Sequence, residues 1–158
     1  GGGADRARVE ALVSELGLAN VRLIPRQPKA MMPRLWSLCD VTLIPLRDTP
    51  VFATVIPSKL FEAMGMGIPV LMSLPTGEAT DIVRRTGCGV MVAPEDPIAL
   101  ADAVARLADT PGELARLRAA ALAAAPAHSR DTQAHAMLEI LKRVARQPVL
   151  EDSAVGET

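Results

Sequence analysis

A doubly wound α/β layer on a parallel sheet is the fold class that the sequence predicts, and two features predict it. Short apolar runs rich in β-branched residues alternate with helical segments of about ten residues, which is the spacing that βαβ crossovers require. The runs are apolar at successive positions rather than alternate ones, as in strands covered on both faces.

Each element follows from its own pattern. Residues 4–16 place Val9, Leu12, Val13 and Leu16 at helical spacing with Gly17 as a stop, and residues 21–24 predict a first strand. Met31, Leu35 and Leu38 share one face of a helix over 31–38. Asp40 then leads into a strand over 41–44 that Pro45 ends. Residues 46–56 lack periodicity and are expected as a loop; residues 57–66 read as a helix closed by Gly65 and Gly67, and residues 69–72 as the next strand. A helix over 77–85, a turn at Gly87-Cys88-Gly89 and a strand over 90–92 follow. Of 26 alanines, 13 fall between Asp96 and His128, so the last third is expected as helices, over 97–108 and 111–125, each with Pro near its first turn. A final helix over 131–146 carries Ala134, Met137, Leu138, Leu141 and Val144 on one face, and the polar tail 147–158 is expected to be disordered. Four strands make a thin sheet, and Gly1-Gly2-Gly3 fits either the turn after an earlier strand or a tag scar. A single domain over 1–146 that begins part-way through is the expectation.

Composition narrows the function classes. With 17 Lys+Arg against 18 Asp+Glu the formal charge is −1, which gives no general attraction to nucleic acid. At 49 % hydrophobic and 22 % charged residues the chain can bury one core. The purest apolar run, over 41–46, is strand-sized, so no membrane span is expected, and no basic segment followed by an apolar one marks a signal peptide. Cys39 and Cys88 form no CxxC or Cys/His cluster, which argues against a disulfide framework or zinc site and for a cytoplasmic location. Cys39, ahead of a strand, is expected to be an inert small hydrophobe, and Cys88, between two glycines, the more exposed of the two. Met31, Met64, Met66, Met72 and Met91 lie in apolar patterns and read as core filler.

Ligands of open parallel sheets bind outside the carboxyl ends of strands, and the loop after residue 45 is long for that position. It ends at Pro57, which suits the first position of a helix and leaves the N–H groups of Ser58, Lys59 and Leu60 without intrahelical acceptors. With the helix macrodipole, the Ser58 hydroxyl and the Lys59 charge, that turn could hold a phosphate. Glu62 stands one turn on from Ser58, about 6 Å along the axis at 1.5 Å per residue, where a carboxylate could accept both hydroxyls of a ribose. Lys59 and Glu62 taken alone also fit a solvated ion pair. Arg47 is a candidate phosphate or sugar contact, and Glu78 and Asp81 are explained by the dipole of the helix they open. His128 and His135 are expected in distal helices, away from any site.

The segment Pro57-Ser58-Lys59-Leu60-Phe61-Glu62-Ala63-Met64-Gly65-Met66-Gly67-Ile68-Pro69-Val70 resembles the sugar-nucleotide-binding segment of retaining glycosyltransferases of the GT-B fold, family 4. Asn20-Val21-Arg22-Leu23-Ile24, the stretch from Leu35-Trp36 to Ile44-Pro45, Thr76-Gly77-Glu78, Gly87-Cys88-Gly89-Val90 and Asp96-Pro97 continue the likeness in the same order. The resemblance implies a Rossmann-like C-terminal half of a GT-B enzyme with additional C-terminal helices. Such a half binds a nucleoside-diphosphate sugar, a UDP-sugar by expectation, for transfer to a saccharide or lipid-linked acceptor in bacterial polysaccharide synthesis. By matching, Glu62 would hold the ribose, Ser58 and Lys59 the diphosphate that leaves, and Gln27 to Lys29 would lie beside the base. Neither a metal nor a cofactor is implied. The acceptor would be bound by a further N-terminal domain, onto which the helix over 131–146 would cross. The fragment alone is then expected to be inactive, and the whole protein to sit in the cytoplasm or against the inner face of the membrane. The family usually carries a second Glu eight positions before the ribose Glu. Thr54 stands there in this chain, and the surrounding residues 49–59 resemble a branch of bacterial polysaccharide enzymes that includes those handling N-acetylated amino sugars.

Other readings compete with this one. A GT-B sugar-nucleotide epimerase would need acid/base carboxylates that this segment lacks. A receiver-like domain on a flavodoxin-type sheet would need an acidic cluster where Ile44-Pro45 stands. An interaction domain would use the Ala-rich helices only to dock a partner.

Overall fold

The computed structural model describes residues 2–145, and its contacts divide after Asp40 into a unit Gly1–Asp40 and a unit that begins at Val41. Arg146 and the expected tail 147–158 lie outside the described residues.

In the first unit, helix α1 (Arg6–Glu15) carries an Arg6–Glu10 ion pair at 2.6 Å, one turn apart. The strand expected over 21–24 does not form. A strand exists only through a neighbouring ladder, and among the described residues this unit contains no other strand. Val21, Leu23 and Ile24 stay exposed, and the Ile24 carbonyl accepts from Arg6 Nη1 at 3.2 Å. The helix expected over 31–38 is a 3₁₀ turn (Lys29–Met31) followed by α2 (Met32–Trp36). Leu38 beyond it is 79 % exposed.

The second unit is built on three parallel strands in the order β1 (Thr42–Pro45), β2 (Val70–Ser73) and β3 (Gly89–Val92). Thr42 lies opposite Val70, and Val70 opposite Gly89. Burial follows position in the sheet: central β2 is buried at each residue, whereas on edge strand β1 Thr42 and Ile44 are buried and Leu43 and Pro45 are not. The edge also explains why Pro45 ends inside the strand, since a missing N–H costs no ladder bond on the open side.

Between β1 and β2 the chain makes two helices. The segment expected as an irregular loop contains a one-turn helix, α3 (Pro50–Ala53), which Pro50 favours by fixing φ at its first position; four residues are too few to show periodicity. Helix α4 (Ser58–Gly65) then buries Leu60, Ala63 and Met64 completely. Gly67, at φ +64°, turns the chain out of α4 where a Cβ would lie 2.8 Å from Leu122. Met31 and Met66 are exposed rather than core filler, Met31 in a 3₁₀ turn that buries no residue and Met66 just past the end of α4, while Met64 and Met72 are fully buried.

Helix α5 (Glu78–Thr86) joins β2 to β3, and its ends carry ion pairs of Glu78 with Arg85 and Asp81 with Arg84. After β3 come α6 (Pro97–Asp109), capped by Asp96 accepting from Ala99 N at 2.9 Å, and α7 (Pro111–Ala124). Helix α7 packs against α4, α5 and α6 through Leu117 and Ala121. It stops at Ala124 because Pro126 has no N–H to continue it; a 3₁₀ turn (Ala125–His128) leads into α8 (Arg130–Ala145). On α8 Met137, Leu138, Ile140, Leu141 and Val144 are all exposed. No helix of the described residues is long and apolar enough to cross a membrane.

The two cysteines reverse their expected places. Cys88 leads into β3 and its carbonyl accepts from Val70 N, so pairing with β2 buries it, whereas Cys39 follows α2 and is exposed. Burial raises the Cys88 thiol above its ordinary pKa.

Two outcomes are expected. At Gly77 the Ala53 carbonyl approaches so closely that a Cβ would sit 1.8 Å from its oxygen, so Gly77→Ala must push α3 away from α5. Overpacking of that kind costs about 1–3 kcal/mol, read as a lower denaturation midpoint. Second, the unfolded chain ionises Cys88 at lower pH than the folded one, so stability falls as pH rises through the ordinary thiol range. Cys88→Ser should flatten that slope in denaturation titrations.

Candidate functional site

Helix α4 has two faces with different duties. Leu60, Ala63 and Met64 fasten it to the core, and the opposite stripe, Ser58, Phe61, Glu62 and Gly65, has the i, i+3, i+4, i+7 spacing of a single helical face. That stripe lines a cavity of about 470 Å³. Its other wall is the 3₁₀ turn after α7 and the start of α8, with His128, Ser129 and Arg130 facing the same space.

The second wall is fixed by local hydrogen bonds and one ring contact. The Phe61 and His128 rings stack with centroids 5.4 Å apart and planes 24° apart, joining α4 to the turn. Ser129 Oγ accepts from Thr132 N at 3.1 Å, capping α8. Thr132 Oγ1 donates to Pro126 O at 2.9 Å and Gln133 Nε2 to Ala127 O at 3.0 Å, so first-turn side chains of α8 satisfy carbonyls of the 3₁₀ turn. His128 is therefore not distal, as its place in the chain suggests, but part of the wall.

The expected site residues separate in space. Ser58 and Glu62 face one cavity. Pro57 stands one position before the helix rather than inside it, with φ −66° and ψ 129°, and no side chain caps α4. Leu60 corrects the expectation of three free amides: its N–H donates to Pro57 O at 3.0 Å and its side chain is fully buried. The free amides are those of Ser58 and Lys59. The Lys59 side chain, 100° around the helix from Ser58, is exposed and does not line the cavity. Among the described residues Lys59 and Glu62, both exposed, form no direct ion pair. Thr54 is exposed beyond α3 and spends its hydroxyl on Val51 O at 2.9 Å. Arg47 is exposed in the loop after β1. Gln27 and Lys29 belong to the first unit, where Gln27 Nε2 donates to Pro25 O at 3.2 Å and Lys29 opens the 3₁₀ turn.

Chemically the cavity offers a carboxylate, a hydroxyl beside a helix start, and a cation. Those groups suit a ligand that carries hydroxyls at one place and negative charge at another.

Known proteins share this architecture. Over 142 residues the chain is 32 % identical to a D-inositol 3-phosphate glycosyltransferase of Thermomonospora curvata, covering 87 % of this chain and 32 % of that protein. The solved sucrose-phosphate synthase of Thermosynechococcus elongatus superposes with a TM-score of 0.76 at 26 % identity, covering 90 % of this chain and 35 % of that one. Anabaena HepE, solved in complex with UDP, gives a TM-score of 0.65 at 23 % identity, covering 88 % of this chain and 38 % of that one. The chain spans about a third or less of the length of the curated relatives it matches. Residues 1–123 match the model of the family described as glycosyl transferases group 1. The α/β layer with parallel strands, the solved neighbours and that match agree, and the chain belongs to the glycosyl transferases group 1 family.

Proposed function

We propose that this domain binds the nucleoside diphosphate of a sugar donor on α4, as part of a retaining glycosyltransferase that acts in bacterial polysaccharide synthesis. The observation that carries the reading is that Glu62 and Ser58 face one cavity from a helix whose opposite side is locked in the core. Glu62 accepts the two ribose hydroxyls, and the Ser58 hydroxyl with the free amides of Ser58 and Lys59 receives the diphosphate. HepE, a neighbour in fold, has been solved with UDP and with UDP-glucose, which supports UDP as the first nucleotide to test.

In the transfer, the bond from the anomeric carbon to the diphosphate oxygen breaks and its electron pair leaves on that oxygen. The acceptor hydroxyl bonds to the same carbon on the face that the diphosphate leaves, and its proton passes to the departing diphosphate oxygen. Donors already aimed at the leaving oxygen lower the barrier without reorganising. The acceptor and its site belong to further polypeptide, onto which the exposed apolar face of α8 (Met137, Leu138, Leu141, Val144) packs. This chain alone binds nucleotide and transfers no sugar. Thr54 in place of a carboxylate leaves the sugar of the donor to be recognised by neutral groups, as an N-acetylated amino sugar allows.

Titration of the full-length protein tests the ribose contact. Glu62→Ala should weaken UDP about tenfold, the loss expected for a charge-assisted hydrogen-bond pair. The wild type should prefer UDP to 2′-deoxy-UDP, and the variant should lose that preference. Equal affinity of wild type and variant for UDP would contradict the reading.

A further inference from the structure

A diphosphate brings two or more negative charges into a cavity that already holds the Glu62 carboxylate, so a cation in its wall would offset the repulsion. Lys59 does not supply it, because its side chain leaves α4 on another face. Arg130 does line the cavity, on the wall opposite Ser58 and Glu62. Among the described residues its guanidinium makes no hydrogen bond or ion pair.

The position of Arg130 in its own helix is also unexplained by helix stability. It is the first residue of α8, at the positive end of the helix dipole, where an acidic side chain is favoured and a cation disfavoured. Asp131 beside it follows the rule and Arg130 breaks it. An anion in the cavity would reverse that penalty. Nor is the residue on a loose segment: the Ser129 cap, the Thr132 and Gln133 bonds to the 3₁₀ turn and the stack of His128 on Phe61 hold the start of α8 against α4.

We propose that Arg130 is a diphosphate-binding cation of this domain, with the His128–Phe61 stack as the strut that sets its distance from α4. This inference rests on the nucleotide reading of the cavity and assigns it a residue that neither the α4 motif nor its spacing contains. The ligand then lies across the cavity, ribose hydroxyls on Glu62 and phosphates between the start of α4 and Arg130. Both guanidinium edges are free for a bidentate contact, which a lysine could not copy.

The test is a calorimetric titration of the full-length protein with UDP, GDP and ADP, each paired with its own nucleoside, for wild type, Arg130→Gln, Arg130→Lys and Glu62→Ala. For the nucleotide that binds, Arg130→Gln should weaken the diphosphate about tenfold or more and leave the nucleoside within about twofold, with Arg130→Lys between them. Glu62→Ala should weaken diphosphate and nucleoside alike, because both carry the ribose. Wild-type diphosphate affinity in Arg130→Gln, with Glu62→Ala weakened, would overturn the assignment of Arg130 and spare the ribose site. Equal losses of nucleoside and diphosphate in Arg130→Gln would also overturn it, by showing that the residue shapes the cavity rather than meets charge. If no diphosphate binds the wild type, or if Glu62→Ala changes nothing as well, the nucleotide reading and the inference fall together.

Discussion

The fixed orientation of α4 is the constraint on which the rest of the site depends. Leu60, Ala63 and Met64 are sealed into the core against α7 and β1, and a helix held on those three positions has one rotational setting. Ser58 and Glu62 must then face away from the sheet, about one turn apart. Loss of that anchor would leave the same residues on a helix free to roll, and their order along the axis would specify nothing. Because the anchor is apolar burial and neither the Ser58 nor the Glu62 side chain has a hydrogen-bond or ion-pair partner among the described residues, the two demands do not compete for the same side chains.

The far wall shows a second solution to the same problem. A 3₁₀ turn exposes backbone carbonyls, and here Thr132 and Gln133 of α8 bind two of them while Ser129 caps the helix. The result is a stiff corner, tied to α4 by an aromatic contact between Phe61 and His128. The site thus rests on one helix positioned by the core and one corner positioned by local polar bonds. Each is rigid for a different reason, and a ligand between them meets groups that need little ordering.

Much of this was legible in the residues. The strand–helix alternation after residue 41 and the Ala-rich helices are strong local patterns, and the structure places them within a residue or two. Glu62 and Ser58 were readable because both lie on one short helix, where spacing dictates direction. Family membership now removes the receiver-like and docking-only alternatives. What failed did so where tertiary context decides. Residues 21–24 have strand composition but no ladder partner among the described residues of their unit. Cys88, bracketed by glycines, looks exposed until β2 covers it. Lys59 looks equivalent to Ser58 until the helix turns by 100°. Neither His128 nor Arg130 could have been found from spacing, since each meets α4 across more than sixty residues of chain. The one local signal was a cation at a helix start, where the dipole disfavours it.

A crystal structure of the full-length protein with a nucleoside diphosphate bound tests the central claim most directly. The account predicts ribose hydroxyls within hydrogen-bond distance of the Glu62 carboxylate and a phosphate against the start of α4. A nucleotide seated elsewhere, with Glu62 left facing solvent, would contradict it.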